Sequence, residues 1–242
     1  MQRTYFIADA HLGAEEEERE QVKMANLLSF LHFVGTTGKA LYICGDLFDF
    51  WFEYRHAVPS YYYQVLFKLS ALVKSGVTIH YVAGNHDFWL RDFLAQQVGL
   101  LLHRNSAVTA IDSKKFFILH GDGLAMDDRG YRFLKKILQN HLNIFLFSLL
   151  HPDLGVPLAR FCSRRSRNHT SRREYNDNDY LEFARQKIEN GFDCVVYAHT
   201  HRPLLQKIGE GWVLNPGDWM KEFSYGVMEN GNLSLQRWRP QG

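Results

Sequence analysis

Residues 77–87 read VTIHYVAGNHD, an apolar run that ends in glycine, an amide, an imidazole and a carboxylate on four consecutive positions. The run is rich in β-branched and aromatic residues and has the length of a buried strand. A lone Gly-Asn after a strand is usually a turn. Whether residues 84–87 form a turn or part of a site therefore depends on how the other strands of the chain end.

Four further apolar runs have strand length, and longer amphipathic stretches lie between them. The further strand candidates are TYFIA (4–8), KALYIC (39–44), KFFILH (115–120) and DCVVYAH (193–199). The spacing of apolar residues predicts helices over 18–34, 60–75 and 179–190. This alternation of strands and helices predicts a layered α/β domain. Asn230-Gly231 joins two alternating runs and predicts a C-terminal hairpin.

Composition excludes several classes of protein. Of the 242 residues, 46% are hydrophobic and 22% are charged, which fits a globular chain and argues against global disorder. The formal net charge of +2 gives no general attraction to nucleic acid, and we expect no such partner. Cys44, Cys162 and Cys194 lack the spacing of a disulfide framework or a zinc site, which fits a reducing compartment. No apolar run is long enough to span a bilayer, and the N-terminus lacks a signal-peptide core.

All five predicted strands end in residues that can bind metal ions. In chain order the clusters are Asp9-Ala10-His11, Gly45-Asp46-Leu47-Phe48-Asp49, Gly84-Asn85-His86-Asp87, His120-Gly121-Asp122 and His199-Thr200-His201. In open α/β sheets the ligand-binding crevice lies outside the carboxyl ends of the strands, so all five clusters can project toward one crevice. One such cluster alone is more often a cap or a turn, but five in succession favour a metal site.

The residue types in these clusters favour two divalent cations. Carboxylate, amide and imidazole groups without thiolate suit borderline ions such as Mn²⁺, Fe²⁺ or Zn²⁺. The candidate ligands number about seven, too many for one tetrahedral zinc, whereas two ions roughly 3.5–4 Å apart and bridged by a carboxylate would use them all. Such a pair clamps a phosphoryl oxygen and activates a water molecule. The clusters therefore predict a hydrolase that acts on a phosphate ester or anhydride.

The ordered motifs Asp-x-His, Gly-Asp-x-x-Asp, Gly-Asn-His-Asp, His-Gly-Asp and His-Thr-His resemble those of the calcineurin-like metallophosphoesterases, over residues 4 to about 220. The resemblance implies an α/β fold, a four-layered α/β/β/α sandwich with two mixed sheets. It also implies two metal-binding sets that share a bridging carboxylate, with Mn²⁺ as the first choice of ion. The first set is Asp9, His11, Asp46 and His201. The second set is Asp46, Asn85, His120 and His199.

The same resemblance assigns roles to residues beside the ligands. His86 matches the family's histidine that contacts the phosphate and assists the leaving group. We therefore expect His86, Asn85 and Asp46 to be the catalytic residues. Asp49 and Asp87 match positions that orient histidine rings.

A segment at about 128–175 interrupts the alternation and predicts a helical insertion, or lid, within a single domain of residues 1–242. Its first half is strongly apolar, and the stretch 159–173, ARFCSRRSRNHTSRR, holds six arginines and no acid. An ordinary helical hairpin with a solvated basic face would explain this pattern. The other interpretation is a lid that receives acyl chains, binds phosphate through arginine and touches an anionic membrane surface.

Within the family, YICGDLFDFWFEY, AGNHDFW, HGDGL and SRRSR, together with the position of the insertion, resemble the UDP-2,3-diacylglucosamine diphosphatases of lipid A synthesis. The resemblance implies release of UMP and 2,3-diacylglucosamine 1-phosphate from a lipid-linked nucleotide. It implies a cytoplasmic protein on the inner face of the cytoplasmic membrane. The insertion residues that align with substrate contacts are Ser166, Arg167 and Arg173. Asp127, in the loop that leads into the insertion, is expected to face the sugar. One departure is His86, because the best-studied branch has arginine at this position of the Gly-Asn-x-Asp motif. Either His86 does the work of that arginine, or the chain belongs to a sister branch with a different substrate.

Other interpretations stay open. A dimetal phosphodiesterase or pyrophosphatase that acts on a soluble nucleotide would not need the apolar half of the insertion. A scaffold that has lost its chemistry would be expected to have shed ligands, and this chain has every one. The aromatic residues of 48–56 either line the approach of the substrate or simply pack, and 215–219 forms a plain turn or part of the crevice wall. The sequence does not indicate the oligomeric state.

Overall fold

The structure, a computed structural model, describes residues 3–125, 129–170 and 177–239, without the side chains of residues 129 and 166–170. The described strands are β1 Arg3–Ile7, β2 Gly38–Ile43, β3 Thr78–Val82, β4 Leu101–His103, β5 Ser106–Ile111, β6 Lys114–Leu119, β7 Cys194–Val196, β8 Leu204–Ile208, β9 Gly211–Asn215, β10 Ser224–Glu229 and β11 Asn232–Arg237. The described α-helices are α1 Glu17–Thr37, α2 Tyr63–Lys74, α3 Arg129–Leu138, α4 His141–Ser148, α5 Pro152–Thr170 and α6 Asp177–Glu189. A short 3₁₀ turn at Ser60–Tyr62 leads into α2, and Leu94–Val98 forms a π-helical turn.

The strands form two mixed sheets. The first sheet has the order β11-β10-β1-β2-β3-β4, in which β1 to β4 run parallel and β10 is antiparallel to both of its neighbours, β1 and β11. The second sheet has the order β5-β6-β7-β9-β8, with β6, β7 and β9 parallel and an antiparallel strand at each edge. Because the central strands of each sheet are parallel, their carboxyl ends lie at a common edge.

Alternating side chains of each strand separate the interior into three apolar layers. Tyr5 and Ile7 of β1 face α1 and α2, whereas Phe6 faces the second sheet and stacks on Phe116 with 5.6 Å between ring centroids. On the far side of the second sheet, Val195 packs against α6. The layers therefore run helix, sheet, sheet, helix, and the predicted four-layered α/β fold is confirmed.

Local sequence explains the boundaries of several elements. Leu27, Phe30, Leu31 and Val34 are fully buried, so one stripe of α1 at helical spacing covers the first sheet. In the C-terminal hairpin, Asn230 and Gly231 both have positive φ, 51° and 77°, as a tight two-residue turn requires. The predicted hairpin and the five predicted strands are all present.

Between β6 and β7 the described residues form α3, α4 and α5 before α6 returns to the second sheet. No residue of α4 is buried, and eleven of the seventeen exposed large apolar side chains in the described ranges lie between residues 133 and 161. The chain therefore has a helical segment here with much of its apolar surface in contact with solvent. Across the described ranges, no helix combines the length and apolar character needed to cross a membrane.

Candidate active site

The carboxyl ends of five parallel strands, β1, β2, β3, β6 and β7, bring the predicted ligands together. The seven predicted metal ligands all occur in loops that follow these strands: Asp9, His11, Asp46, Asn85, His120, His199 and His201. Histidine and aspartate atoms from these loops form three overlapping groups in which the potential ligand atoms lie within 4.8 Å of one another. One edge of the sandwich thus carries a dense cluster of side chains that can bind metal ions.

The first group joins the ends of β1 and β7. Nε2 of His11 is 3.3 Å from Nε2 of His201 and 3.9 Å from Oδ1 of Asp9. Nε2 of His201 is 3.8 Å from the same Asp9 oxygen. Asp9 and His11 are almost fully buried. Three potential ligand atoms from two strands therefore converge on one small volume.

The second group joins the ends of β2, β3, β6 and β7. Nε2 of His120 is 3.2 Å from Oδ2 of Asp46 and 3.0 Å from Oδ1 of Asn85. The rings of His120 and His199 meet edge to face with their centroids 5.1 Å apart. The backbone N–H of His199 donates to Oδ2 of Asp9, which connects this group to the first.

Asp46 lies between the two groups. Its Oδ2 is 3.7 Å from Nε2 of His11 in the first group and 3.2 Å from Nε2 of His120 in the second. Its Oδ1 accepts a hydrogen bond from the backbone N–H of His86. The close packing depends on Gly84, because a Cβ there would lie 2.1 Å from Oδ1 of Asp46. The position of Asp46 is that of a carboxylate which can serve two ions at once.

Two features of the buried atoms fit divalent cations. Nδ1 of His120 lies 2.9 Å from the carbonyl oxygen of Cys44, which only accepts, so Nδ1 carries a proton. In the neutral ring the lone pair on Nε2 then faces the oxygens of Asp46 and Asn85, an arrangement that a cation between them would stabilise. Oδ1 of Asp9 is buried and has no hydrogen-bond partner among the described residues. Both features fit groups that point at a metal ion.

Electrostatic effects within the cluster are strong. Burial alone would lower the pKa of His120, but the adjacent carboxylate of Asp46 raises it to about 10. Burial and the neighbouring His120 lower the pKa of His199 to about 3. Burial raises the pKa of Asp9, against the opposing effect of His201. Without a cation the buried charges are thus poorly balanced, which is common at sites built for a charged ligand.

Most of the predicted ligands have a left-handed backbone conformation, which residues other than glycine rarely adopt. The ligands with positive φ are Asp9 (52°), His11 (41°), Asp46 (52°), His199 (71°) and His201 (57°). A left-handed conformation costs roughly 1–2 kcal/mol for a residue with a Cβ. Outliers of this kind concentrate at functional sites, where the surrounding fold imposes them.

His86 lies beside the cluster and contacts it through backbone and ring. Its ring meets that of His11 nearly perpendicularly, with the centroids 4.7 Å apart, and it forms the third metal-type group with His11 and Asp46. Oδ1 of Asp49 lies 3.6 Å from Nδ1 of His86 and 3.9 Å from Nδ1 of His11. Asp49 is therefore placed to orient both rings, as its motif position predicts.

Asp87, predicted to orient a histidine ring, is surrounded by other groups. Its Oδ1 accepts a hydrogen bond from the backbone N–H of Gly84, and its Oδ2 accepts one from the phenol hydroxyl of Tyr81. The backbone N–H of Phe48 also reaches Oδ2, at 3.4 Å. Because its oxygens are used by these groups, Asp87 braces the loop after β3 instead of orienting a histidine, which corrects the prediction.

Sequence reasoning missed Asp218, which follows β9 at the same edge of the second sheet. Its Oδ2 lies 3.6 Å from Nδ1 of His201, and its Oδ1 accepts three backbone N–H groups, from Met220, Lys221 and Glu222. The signal was present, since Asp218 follows an apolar run as the predicted ligands do. The pattern of 215–219 by itself indicates only a turn or part of the crevice wall.

The insertion contacts the site from two sides. Ser163 of α5 is buried against Asp49 and His86, and Arg160 of α5 donates to the carbonyl oxygen of Gly13. Nearer the start of the insertion, Tyr131 and Lys135 of α3 donate hydrogen bonds to Asp122. Both ends of the insertion are thus fastened to loops that carry the predicted ligands.

The structure describes the predicted substrate contacts only in part. Asp127 and Arg173 lie outside the described residues. For Ser166 and Arg167 only the backbone, within α5, is described.

The aromatic residues that follow β2 pack against the insertion. Phe50 and Phe52 each contact the ring of Phe147 in α4, as does Trp89 after β3, with centroids 4.8–6.0 Å apart. Of the two interpretations of this aromatic stretch, the described contacts favour packing.

Comparison with known proteins agrees with this geometry. Residues 2–203 match the family model described as calcineurin-like phosphoesterase. A Porphyromonas gingivalis protein named UDP-2,3-diacylglucosamine hydrolase is 32% identical over 97% of both chains. A Proteus mirabilis protein of the same name is 32% identical over 85% of this chain and 84% of its own. The structure of an archaeal phosphodiesterase covers 97% of this chain and 98% of its own, with a TM-score of 0.52 and 15% identity, which is a likeness of fold alone. On the family match and the full-length relative, this chain belongs to the calcineurin-like phosphoesterase family.

Proposed function

We propose that this chain is a dimetal hydrolase that cleaves the diphosphate of UDP-2,3-diacylglucosamine and releases UMP and 2,3-diacylglucosamine 1-phosphate. The main support for the proposal is that the predicted ligands and the apolar surface of the insertion lie next to each other. A cluster of metal-type ligands lies directly beside a helical insertion whose large apolar side chains are exposed. The name shared by the two relatives at 32% identity supports the same substrate.

Seven residues hold the two ions in this proposal, in two sets that share Asp46. The first set is Asp9, His11, Asp46 and His201. The second set is Asp46, Asn85, His120 and His199. The ions would supply positive charge to the diphosphate oxygens and activate the attacking water. Mn²⁺ is our first choice because the donors are oxygen and imidazole nitrogen without thiolate.

His86 is the protein group that meets the diphosphate. Its backbone N–H holds the bridging carboxylate of Asp46, while its ring lies next to that of His11. An imidazolium at this place can donate a hydrogen bond from Nε2 to a phosphate oxygen and assist departure of the leaving group. His86 would then do the work of the arginine found in the best-studied branch.

The insertion is the part that selects a lipid. Leu142, Leu146 and Leu149 are each more than half exposed and offer apolar surface to acyl chains. Exposed basic side chains of Arg164 and Arg165 lie on α5. Each basic group near anionic headgroups adds about 1 kcal/mol of attraction, so the insertion suits peripheral contact with the inner surface of the cytoplasmic membrane. The insertion acts as a lid within a single domain.

The direct test is release of UMP from UDP-2,3-diacylglucosamine presented in detergent with Mn²⁺. A triple variant, Leu142→Ser, Leu146→Ser and Leu149→Ser, should raise KM for this substrate about tenfold and leave turnover of the soluble diester bis-p-nitrophenyl phosphate unchanged. Phe67→Ser is the matched control, because Phe67 is 74% exposed on α2, away from the insertion.

The alternative is a phosphodiesterase or pyrophosphatase that acts on a soluble nucleotide. Absence of UMP release together with strong turnover of a soluble diester would favour that alternative. An unchanged KM in the triple variant would separately contradict the role of the insertion in substrate selection.

A further inference from the structure

Ser163 is the buried polar residue of an otherwise exposed stretch of α5. It is 8% exposed, whereas Phe161 is 64% exposed and Cys162 is also exposed. Its Oγ lies 2.6 Å from Nδ1 of His86, 2.8 Å from the carbonyl oxygen of Asp49 and 2.9 Å from Oδ1 of Asp49. A single hydroxyl of the insertion thus contacts two motif residues that follow two different strands.

The partners of this hydroxyl determine where the protons lie. The carbonyl oxygen and carboxylate of Asp49 only accept hydrogen bonds, so the Ser163 hydroxyl donates to Asp49. Its Oγ then accepts from Nδ1 of His86, which also lies 3.0 Å from the Asp49 carbonyl oxygen. The reverse assignment would place the lone pair of Nδ1 against that carbonyl oxygen. Nδ1 of His86 therefore carries a proton, and Nε2 is the ring atom left for a substrate.

We propose that Ser163 is a positioning residue, which fixes the tautomer and the orientation of His86 so that α5 completes the active site. The inference rests on the proposed hydrolase function in one respect, the use of His86 in turnover. Ser163 does not act as a nucleophile, because it is buried and its proton is committed to Asp49. Its contribution passes through the imidazole of His86.

The contact between Ser163 and His86 couples the position of the insertion to the chemistry at the predicted metal site. Arg160, one helical turn before Ser163, donates to the carbonyl oxygen of Gly13, two residues beyond His11. Displacement of α5 would therefore release His86 and loosen the loop after β1 together. A lipid bound against the insertion can in this way influence a residue that touches the phosphate.

The test compares Ser163→Ala with Ser163→Thr, which retains a hydroxyl, and with Ser75→Ala as a serine control at the end of α2. We expect Ser163→Ala to lower kcat for bis-p-nitrophenyl phosphate about tenfold, with KM changed less than about twofold. Ser163→Thr should recover part of kcat, and Ser75→Ala should match the wild type. The small soluble diester is chosen because it does not need the apolar surface of the insertion.

A structural role alone would give a different result. If Ser163 only fastened α5, Ser163→Ala would raise KM for the lipid substrate and leave kcat for the soluble diester unchanged, and this outcome would overturn the proposal.

A second measurement does not depend on activity. Long-range ¹H–¹⁵N NMR of the zinc-loaded full-length protein, with His86→Gln to assign the signal, should report the Nδ1–H tautomer in the wild type and a mixture in Ser163→Ala. An Nε2–H tautomer in the wild type, or an unchanged spectrum in Ser163→Ala, would overturn the inference. Because this readout needs no substrate, it separates failure of the inference from failure of the proposed function.

Discussion

Oδ2 of Asp218 lies 3.6 Å behind Nδ1 of His201, on the side of the ring away from the Nε2 that meets His11. The carboxylate is 4% exposed and is held by the three backbone N–H groups that its other oxygen accepts. A fixed acceptor behind a histidine favours a proton on Nδ1 and leaves Nε2 free to bind a metal ion. Asp218 is therefore an outer partner of a predicted ligand.

We expect Asp218→Asn to weaken Mn²⁺ binding by roughly 10- to 100-fold, the usual effect of losing such a partner. Asparagine keeps an oxygen for the backbone N–H groups but can turn its amide N–H toward Nδ1 of His201. Isothermal titration calorimetry with Mn²⁺ measures the change. Asp112→Asn is the control, since Asp112 pairs with Lys39 at the start of β2. Equal affinity in the Asp218 and Asp112 variants would contradict the role of Asp218.

Asp46→Asn should lower turnover at least about 10³-fold while the protein remains folded, because the bridging carboxylate serves both proposed ion sites. Loss of this buried charge also removes the carboxylate that raises the pKa of His120 most. Initial rates, with circular dichroism as the check on folding, test this expectation. Turnover within about tenfold of the wild type would show that Asp46 does not bridge two ions.

Sequence alone predicted β1, β2 and β3 of the first sheet with its C-terminal hairpin, and β6 and β7 of the second sheet. It located the candidate ligands because each follows an apolar run. It did not predict the edge strands β4, β5 and β8 or the parallel strand β9, since short strands gain their stability from partners that are distant in the chain. Trp212 to Leu214 of β9, for example, pair with Cys194 to Val196 of β7. This pairing places Asp218 beside His201, and no local pattern records it.

The left-handed backbone at the ligands was also beyond sequence reasoning. Glycine and asparagine in a turn, such as Asn230-Gly231, indicate positive φ from sequence. Asp46 and His201 adopt positive φ only because the surrounding fold requires it. Glycines nevertheless left a partial signal. Gly45 has φ of 94°, and a Cβ there would lie 2.5 Å from Nδ1 of His120. The role of Ser163 could not be predicted, because its contact with His86 spans 77 residues.

Lys23→Met should lower the free energy of unfolding by about 3–5 kcal/mol, the usual cost of breaking a buried ion pair. Lys23 is 1% exposed, and its Nζ donates to Glu20 at 2.9 Å and to the carbonyl oxygen of His11 at 2.8 Å. The substitution leaves a buried carboxylate and a strained loop without their partner. Urea unfolding measures the loss. Lys39→Met removes a partly exposed pair with Asp112 and should cost less than about 1 kcal/mol, so equal losses would contradict the prediction.

We expect the stability of the protein to depend on pH through His80 in β3, where a cavity of about 590 Å³ lies away from the predicted ligands. Nδ1 of His80 is 3.0 Å from Nε2 of His103, and the His80 ring stacks on Tyr42 at 4.2 Å. Burial, and to a smaller extent His103, lower the pKa of His80 to about 4. Since the usual pKa of histidine is about 6.5, the unfolded chain binds a proton that the folded chain excludes as pH falls from 6.5 to 4.

The free energy of unfolding must therefore decrease as the pH is lowered through that window, and it is fully retained above about pH 6.5. After allowance for the partial exposure of the ring, we expect His80 to account for about 1 kcal/mol of the loss between pH 7 and pH 5. His80→Phe keeps the stacking on Tyr42 but cannot titrate, so urea unfolding of this variant should show a smaller loss than the wild type. If both proteins lost the same free energy between the two pH values, proton exclusion by His80 would not contribute to acid sensitivity.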